Sequence, residues 1–121
     1  MKKRAAASIT SDSVPLELVA RRLKALADVS RLHILQSLCR GERNVTELVE
    51  ETGLAQANVS KHLRILKDGG FVLARRDRRN VLYRLSGTLS VEICTILCRS
   101  MREKAAGESR TLERYLESKG A

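Results

Sequence analysis

The sequence predicts a mainly α-helical fold that carries one small β-hairpin, and three observations support this class. Apolar residues recur at three- and four-residue spacing through most of the chain, as they do on the buried faces of amphipathic helices. Glycines stand where the predicted helices end, at Gly41, Gly53 and Gly69. Between residues 71 and 85 the pattern changes to two strand-like runs that are separated by a short polar turn.

The first two helices follow from proline, capping residues and apolar spacing. Pro15 suits the first turn of a helix over residues 15–27. Either Asp28 or Ser30 can cap a second helix over residues 30–40. The predicted buried faces consist of Leu16, Val19, Leu23 and Leu26 in the first helix and Leu32, Leu35 and Leu38 in the second.

Two shorter helices and a hairpin follow. Thr46 is the predicted cap of a helix over residues 47–52, Gly53 supplies the turn, and residues 56–68 form the next helix. Residues 71–76 and 80–85 are the predicted strands, with residues 77–80 at the hairpin tip. The inward side of the helix over residues 56–68 consists of Val59, Leu63 and Leu66. This order is typical of a winged helix-turn-helix, in which the hairpin is the wing.

The flanks complete a predicted division into three segments. Residues 1–13 are basic, small and hydroxylated, and we interpret them as a flexible basic arm. Residues 14–106 form the winged helix-turn-helix domain, which ends in a helix from Thr88 to about Ala106. Residues 107–121 form a C-terminal helical extension, in which a separate amphipathic piece covers residues 109–119 after Gly107.

Composition favours a nucleic-acid partner. The 121 residues suit one domain, and 23 Lys and Arg against 14 Asp and Glu give a formal charge of +9. The segment from Lys61 to Arg84 contains eight basic and two acidic residues, a net charge of +6. Aromatic residues make up only 2%, too few to stack single-stranded bases, so duplex DNA is the expected partner. The sequence has neither an apolar run of membrane-spanning length nor a signal-peptide core, and we expect a cytoplasmic protein.

Two sets of side chains are the candidate DNA contacts. A recognition helix places its amino-terminal half in the major groove, where short polar side chains meet base edges. A solvated helix face is also polar, but this one follows a glycine turn and precedes an arginine-rich hairpin. Four guanidinium groups around that hairpin indicate phosphate or minor-groove contacts. The candidates are Gln56, Asn58, Ser60, Lys61 and Arg64 on the helix and Arg75, Arg76, Arg78 and Arg79 on the wing.

The run from Leu23 to Ser86 resembles the ArsR/SmtB family of bacterial winged-helix repressors. It follows the family patterns "LADxxRLxIL", "xVxELxxxxGLxQxxVSxHLxxLxxxGxV" and "RxGRxxxYRL" nearly throughout. The resemblance implies a homodimer joined through its first and last helices. Such a dimer binds an inverted-repeat operator and represses transcription until an inducer weakens the complex. Two departures are Ala55, where the family usually has a serine cap, and Asn80, where a Gly-Arg wing tip is common.

The resemblance also guides the search for an inducer site. Metal-binding members often carry a Cys-x-Cys pair on the third helix, but residues 43–48 of this chain contain no thiol. A second family site uses Asp and His on the last helix, where this chain has Glu92 and no histidine. His33 and His62 lie elsewhere, and we interpret them as a surface or interface residue and a partly buried helix residue. We therefore expect no metal site of either kind.

Three cysteines are the candidate sensing residues. Cys94 and Cys98 are four residues apart and share one helix face, and Cys39 ends the second helix. Resemblance to thiol-based family members implies a switch that uses Cys39 with Cys94 or Cys98. Three thiolates could instead bind arsenite or another soft ion. Cysteine is also a good small core residue, so packing alone is a third interpretation. The inducer itself is unknown at this point.

The expected function is that of a dimeric repressor of operator DNA. A rival hypothesis treats the winged helix as a protein-interaction or antirepressor module without its own operator, whose basic face meets an acidic partner. No nucleophile with its base, phosphate-binding glycine loop or metal cluster can be found in the sequence. We therefore expect no enzymatic activity.

Overall fold

A computed structural model describes residues 14–120. Residues 1–13, the predicted basic arm, lie outside the described residues. The predicted order of four helices, a hairpin and a last helix is confirmed. The elements are α1 (Leu16–Leu26), α2 (Val29–Leu38), α3 (Val45–Thr52), α4 (Gln56–Asp68), β1 (Val72–Asp77), β2 (Asn80–Leu85) and α5 (Leu89–Gly120). The chain divides after residue 87 into two compact units, α1 to β2 and α5.

The starts of the helices show which capping predictions hold. Of the two candidate caps of α2, Asp28 is the observed one, and its side chain accepts a hydrogen bond from the Arg31 backbone at 3.1 Å. The predicted cap of α3 is wrong, because Asn44 rather than Thr46 precedes the helix. Asn44 Oδ1 accepts from the Glu47 backbone N–H at 2.8 Å, and Glu47 Oε1 accepts from the Asn44 N–H at 2.8 Å. This reciprocal capping box satisfies two backbone donors at once, so α3 starts earlier than predicted.

The core of the first unit is built mainly from α2, α3 and α4. The predicted inner face of α4 is confirmed, since Val59, Leu63 and Leu66 are all buried. The stripe predicted for α2 is partly wrong, because Ile34 is 0% exposed whereas Leu32 is 38% exposed. Other members of the core are Ala25, Leu26, Leu35, Leu38, Leu48, Phe71 and Val72.

The buried face predicted for α1 is largely exposed. Leu16 is 51% exposed and Leu23 is 50% exposed, whereas Ala25 and Leu26 at the end of the helix are buried. Only the last turn of α1 therefore contributes fully buried residues to the core. The spacing of leucines along α1 was a sound sign of an amphipathic helix, but within one chain most of its apolar face has no cover.

The wing is a two-stranded antiparallel sheet. Its register runs from Val72 opposite Leu85 to Asp77 opposite Asn80. Arg78 has a φ of 60° at the two-residue tip, a left-handed conformation that a tight hairpin turn requires. On its other side β2 is joined to the segment before α3 by two backbone hydrogen bonds between Arg43 and Tyr83, at 3.1 and 2.9 Å. The wing is thus attached to the helix-turn-helix as well as to itself.

Helix α5 runs without interruption from Leu89 to Gly120. The predicted end of a helix at about Ala106 is wrong, because Gly107 lies inside α5 and does not adopt a positive φ. A glycine inside a helix costs only about 1 kcal/mol relative to alanine, and good helix formers surround this one. In the part of the chain that the structure describes, no helix combines the length and the apolar character needed to cross a membrane.

The capping box predicts how two neighbouring residues differ in their contributions to stability. Asn44→Ala should lower the free energy of unfolding by about 1 kcal/mol, because it removes the acceptor of the Glu47 N–H. Thr46→Ala, at the position where the cap was expected, is the matched control and should change the free energy of unfolding by less than about 0.5 kcal/mol. Urea denaturation measures both variants. A larger loss of unfolding free energy for Thr46→Ala than for Asn44→Ala would contradict the observed cap.

Candidate nucleic-acid interface

Helix α4 presents the candidate base-reading residues to solvent. Gly53, with a φ of 76°, makes the left-handed turn after α3, and α4 begins two residues after Leu54. Ala55 caps α4 without any side-chain hydrogen bond, as its alanine side chain predicts. Because Val59 and Leu63 face the core, the polar positions of the helix point outward. All five predicted contact residues of α4 are exposed, namely Gln56, Asn58, Ser60, Lys61 and Arg64.

A buried polar contact holds α4 against the first two helices. Arg31 of α2 places its Nη1 at 3.1 Å from Nδ1 of His62, which is only 8% exposed. Since a guanidinium group can only donate, His62 Nδ1 must act as the acceptor. The same guanidinium donates to the carbonyl of Ala25 at 2.6 Å and to that of Lys24 at 3.2 Å. The interpretation of His62 as a partly buried helix residue is confirmed, whereas its partner Arg31 was not predicted because it lies 31 residues away.

An acidic residue binds arginines of both strands of the wing. Arg75 of β1 donates through Nε and Nη2 to the two carboxylate oxygens of Glu42, both at 2.8 Å. Arg84 of β2 lies 3.8 Å from the same carboxylate. The hydrogen bonds from Arg75 hold the pKa of Glu42 below its ordinary value, and Glu42 in turn raises the pKa of Arg75. Arg75, a predicted DNA contact, therefore already has an acidic partner within the chain.

A second acidic residue orders the segment between α2 and α3. Glu51 accepts a hydrogen bond from Arg43 Nε at 2.7 Å and another from the hydroxyl of Ser37. The hydrogen bond from Ser37, followed by that from Arg43, lowers the pKa of Glu51. Because Arg43 also pairs with the backbone of Tyr83, this contact links α3 to the wing. It explains an acidic residue near the carboxyl end of a short helix, where the helix dipole does not favour it.

The structure thus separates the basic residues into two groups. Arg43, Arg75 and Arg84 lie at internal carboxylates. The other group forms no ion pair with any residue between 14 and 120, and all its members are exposed. Its members on α4 and the wing are Lys61, Arg64, Lys67, Arg76, Arg78 and Arg79. Three helical positions and the wing tip therefore retain positive charge that no ion pair within residues 14–120 neutralises.

The three cysteines occupy different environments. Cys39 is exposed at the carboxyl end of α2. On α5, Cys94 is half-buried and Cys98 is exposed one turn later. Within residues 14–120, no three His, Cys, Asp or Glu side chains gather in a way that could hold a metal ion.

Four helices followed by a two-stranded wing define a winged helix-turn-helix domain. Residues 28–73 match the family described as "Bacterial regulatory protein, arsR family". A homodimeric winged helix-turn-helix DNA-binding domain from Mycobacterium bovis, "a possible ArsR-family transcriptional regulator", is 35% identical with a TM-score of 0.69. That match covers 81% of this chain and 93% of the other. The chain belongs to the ArsR family.

Two curated relatives extend the comparison. The chain is 44% identical over 81 residues to the "Probable mercury resistance operon repressor" of Streptomyces lividans, a match that covers 64% of this chain. It is 33% identical over 79 residues to the "Biofilm growth-associated repressor" of Xylella fastidiosa, covering 65% of this chain and 69% of that protein. The chain spans 65% of the length of the Streptomyces protein.

The Glu42 carboxylate should contribute to stability in a pH-dependent way. Because its pKa is lowered in the folded chain, its contribution is present above the pKa of the unfolded carboxyl group. The contribution should disappear as the pH falls through the lowered value. We expect Glu42→Gln to be less stable than wild type at neutral pH and equal to it in acid, measured by urea denaturation across pH.

Glu50→Gln is the control for this measurement. Glu50 is exposed on α3 and has no ion pair with any residue of the described range. Its substitution should leave stability close to that of wild type at neutral pH. A deficit of Glu42→Gln that stayed constant into acid would contradict the ion pair with Arg75.

Proposed function

We propose that this chain is a transcriptional repressor that binds a specific duplex operator as a homodimer. The observation that carries the proposal is that the polar and basic side chains of α4 and the wing tip are exposed and unpaired within the described range. Glu51 and Glu42 pair with Arg43 and Arg75 inside the chain, whereas unpaired charges of one sign repel each other. Charges left without partners therefore favour a polyanion.

The chemistry of α4 suits the major groove. Gln56 and Asn58 each offer a donor and an acceptor, which matches the N6 and N7 edge of adenine. Lys61 can donate to guanine or to a phosphate, and Ser60 can contact either kind of group. Arg64 lies a turn further along and can form a bidentate contact with guanine or phosphate. These five residues are the proposed base-reading set.

The wing suits the DNA backbone. Arg76, Arg78 and Arg79 are exposed around a two-residue turn, where they can contact phosphates or enter the minor groove. We propose that Arg75 contributes differently, because it is bound to Glu42 in the DNA-free chain. It holds the hairpin to Glu42 while the other three arginines contact DNA.

Two uncovered apolar surfaces support a dimer. On α1 the exposed residues include Leu16, Leu18 and Leu23. On α5 they are Leu89, Ile96, Leu97, Met101, Leu112, Tyr115 and Leu116. Exposed apolar surface of this kind is unusual on a monomer. The Mycobacterium bovis relative is homodimeric, and two-fold symmetry would place two α4 helices about 34 Å apart, one turn of DNA.

The test is selection of bound sites from a random duplex pool, followed by titration against random duplex at several salt concentrations. We expect a mass of twice the 13.5 kDa chain and two protomers on each selected site. Gln56→Ala and Lys61→Ala should each lower the preference for the selected site about tenfold or more. Arg78→Ala and Arg79→Ala should lower the slope of log affinity against log salt by about 0.9 for each phosphate lost.

Arg110→Ala is the control for the wing variants, because Arg110 is an exposed arginine of α5 outside the proposed DNA interface. It should leave both the preference and the slope unchanged. A purified protein with no preference for any duplex at physiological salt would contradict the proposal. That result would favour the rival module, whose basic face meets an acidic protein.

For the inducer, we propose chemistry at the thiols, which releases the operator. Cys39 and Cys98 are exposed, as a reactive thiol must be, and Cys94 lies one turn from Cys98. A relative that is 44% identical is named for mercury resistance, and mercuric ion is thiophilic. One form of this chemistry is covalent modification, in which Cys39 and either Cys94 or Cys98 act as the switch. The other is binding of a soft ion, such as arsenite or mercuric ion, by the three thiolates.

Mass spectrometry paired with operator binding tests this part. After treatment with polysulfide, peroxide, arsenite or mercuric chloride, at least one reagent should modify the cysteines and weaken operator binding by wild type. The variant Cys39→Ser with Cys94→Ser and Cys98→Ser should keep its affinity under the same treatment. Unmodified thiols with undiminished binding would leave the three cysteines as packing residues.

A further inference from the structure

A polar groove lies between α4 and the wing, and it shares only Ser60 and Arg64 with the two predicted contact sets. Its volume is about 550 Å³, and it is open to solvent. One wall is the carboxyl-terminal half of α4, and the other is Tyr83 of β2. The residues that line it are Ser60, Leu63, Arg64, Lys67, Asp68 and Tyr83. Two of them, Lys67 and Tyr83, belong neither to the proposed base-reading residues nor to the arginines of the wing tip.

The groove is rich in hydrogen-bond donors that the chain does not use. Arg64 and Lys67 are three residues apart on α4, so both side chains reach the same side of the helix. Ser60 and Tyr83 add two hydroxyl groups. None of these four side chains has a hydrogen bond or ion pair with any residue of the described range. Tyr83 is nonetheless half-buried and held in place by its backbone hydrogen bonds to Arg43.

Two positive charges and two hydroxyl groups match one kind of ligand. A phosphate group has acceptor oxygens only, so it can receive the guanidinium fork, the ammonium group and both hydroxyls. The volume is many times the roughly 30 Å³ share of one water molecule, so the open groove has room for a group as large as a phosphate. The groove offers one aromatic ring, at Tyr83, and no pair of rings between which a base could stack.

The position of the groove identifies the source of that phosphate. It opens between α4, which is proposed to enter the major groove, and the wing, which is proposed to contact the backbone beside it. A DNA strand that passes from one element to the other must cross this opening. A free anion could enter as well, but Asp68 adds a negative charge to the lining and so weakens the binding of a small, fully charged ion.

We propose that this groove binds one backbone phosphodiester of the operator in each half-site, through Lys67 and Tyr83 together with Arg64 and Ser60. The proposal rests on the proposed function, and it adds Lys67 and Tyr83 to the DNA-contacting residues. Lys67 supplies charge and therefore salt dependence. The Tyr83 hydroxyl supplies a directed hydrogen bond, and the two backbone hydrogen bonds between Tyr83 and Arg43 hold this part of β2 in place.

The experiment combines variants of the full chain with a selected operator in which single phosphates are replaced by neutral methylphosphonates. Lys67→Gln should lower the salt slope by up to about 0.9 per protomer, since it removes one of the two cationic groups that bind this phosphate. Tyr83→Phe keeps the ring and should lower affinity about tenfold. At one phosphate in each half-site, the methylphosphonate should weaken Lys67→Gln less than it weakens wild type, because Lys67 no longer contributes to that contact while Arg64, Ser60 and Tyr83 still do.

Lys104→Gln is the matched control, an exposed lysine of α5 with the same change of charge, and it should behave as wild type. If every methylphosphonate weakened Lys67→Gln as much as wild type, the groove would not hold a phosphodiester and the proposal would be overturned. Lys67-dependent binding of inorganic phosphate to the DNA-free protein, without coupling in the phosphate scan, would also overturn it. If wild type showed no preference for any duplex over random DNA, the proposed function itself would be contradicted.

Discussion

Burial of the apolar face of α4 is the constraint on which the rest of the structure depends. Val59, Leu63 and Leu66 are all buried, and each buried side chain of this size contributes about 1.5–3 kcal/mol. This stabilisation is larger than the roughly 1 kcal/mol that is lost because Ala55, the N-cap of α4, has no side-chain acceptor. Because the inward face is set by packing, the rotation of the helix is set as well. Every polar residue proposed to read bases is exposed as a consequence.

The division of basic residues into paired and unpaired groups is the second level of organisation. Glu42 and Glu51 bind arginines that join the wing and the α2–α3 segment to the helices. No acidic side chain pairs with the basic residues of α4 or the wing tip in the described range. The paired group gives the domain its shape, and the unpaired group gives it a surface for a polyanion. Net charge alone would not have separated the two roles.

Local patterns made much of this predictable, and long-range contacts account for what was not. The inner face and both ends of α4 follow from its apolar period and flanking glycines, whereas the partners of Arg75 and His62 lie 33 and 31 residues away. Asn44 followed by Glu47 is a local signal that was available and overlooked. The exposure of Leu16 and Leu23 could not be foreseen, because an apolar helix face does not reveal whether its cover is the same chain or another.

Side-chain NMR of the arginine Nε–H groups during titration with the selected duplex tests the central claim most directly. If paired arginines shape the domain and unpaired ones contact DNA, the signals of Arg64, Arg76, Arg78 and Arg79 should shift on binding. The Arg43 signal should stay in place, because its carboxylate partner, Glu51, remains bound. Large shifts of Arg43 with an unchanged Arg64 would contradict the account, since the division of charges would then not correspond to the DNA interface.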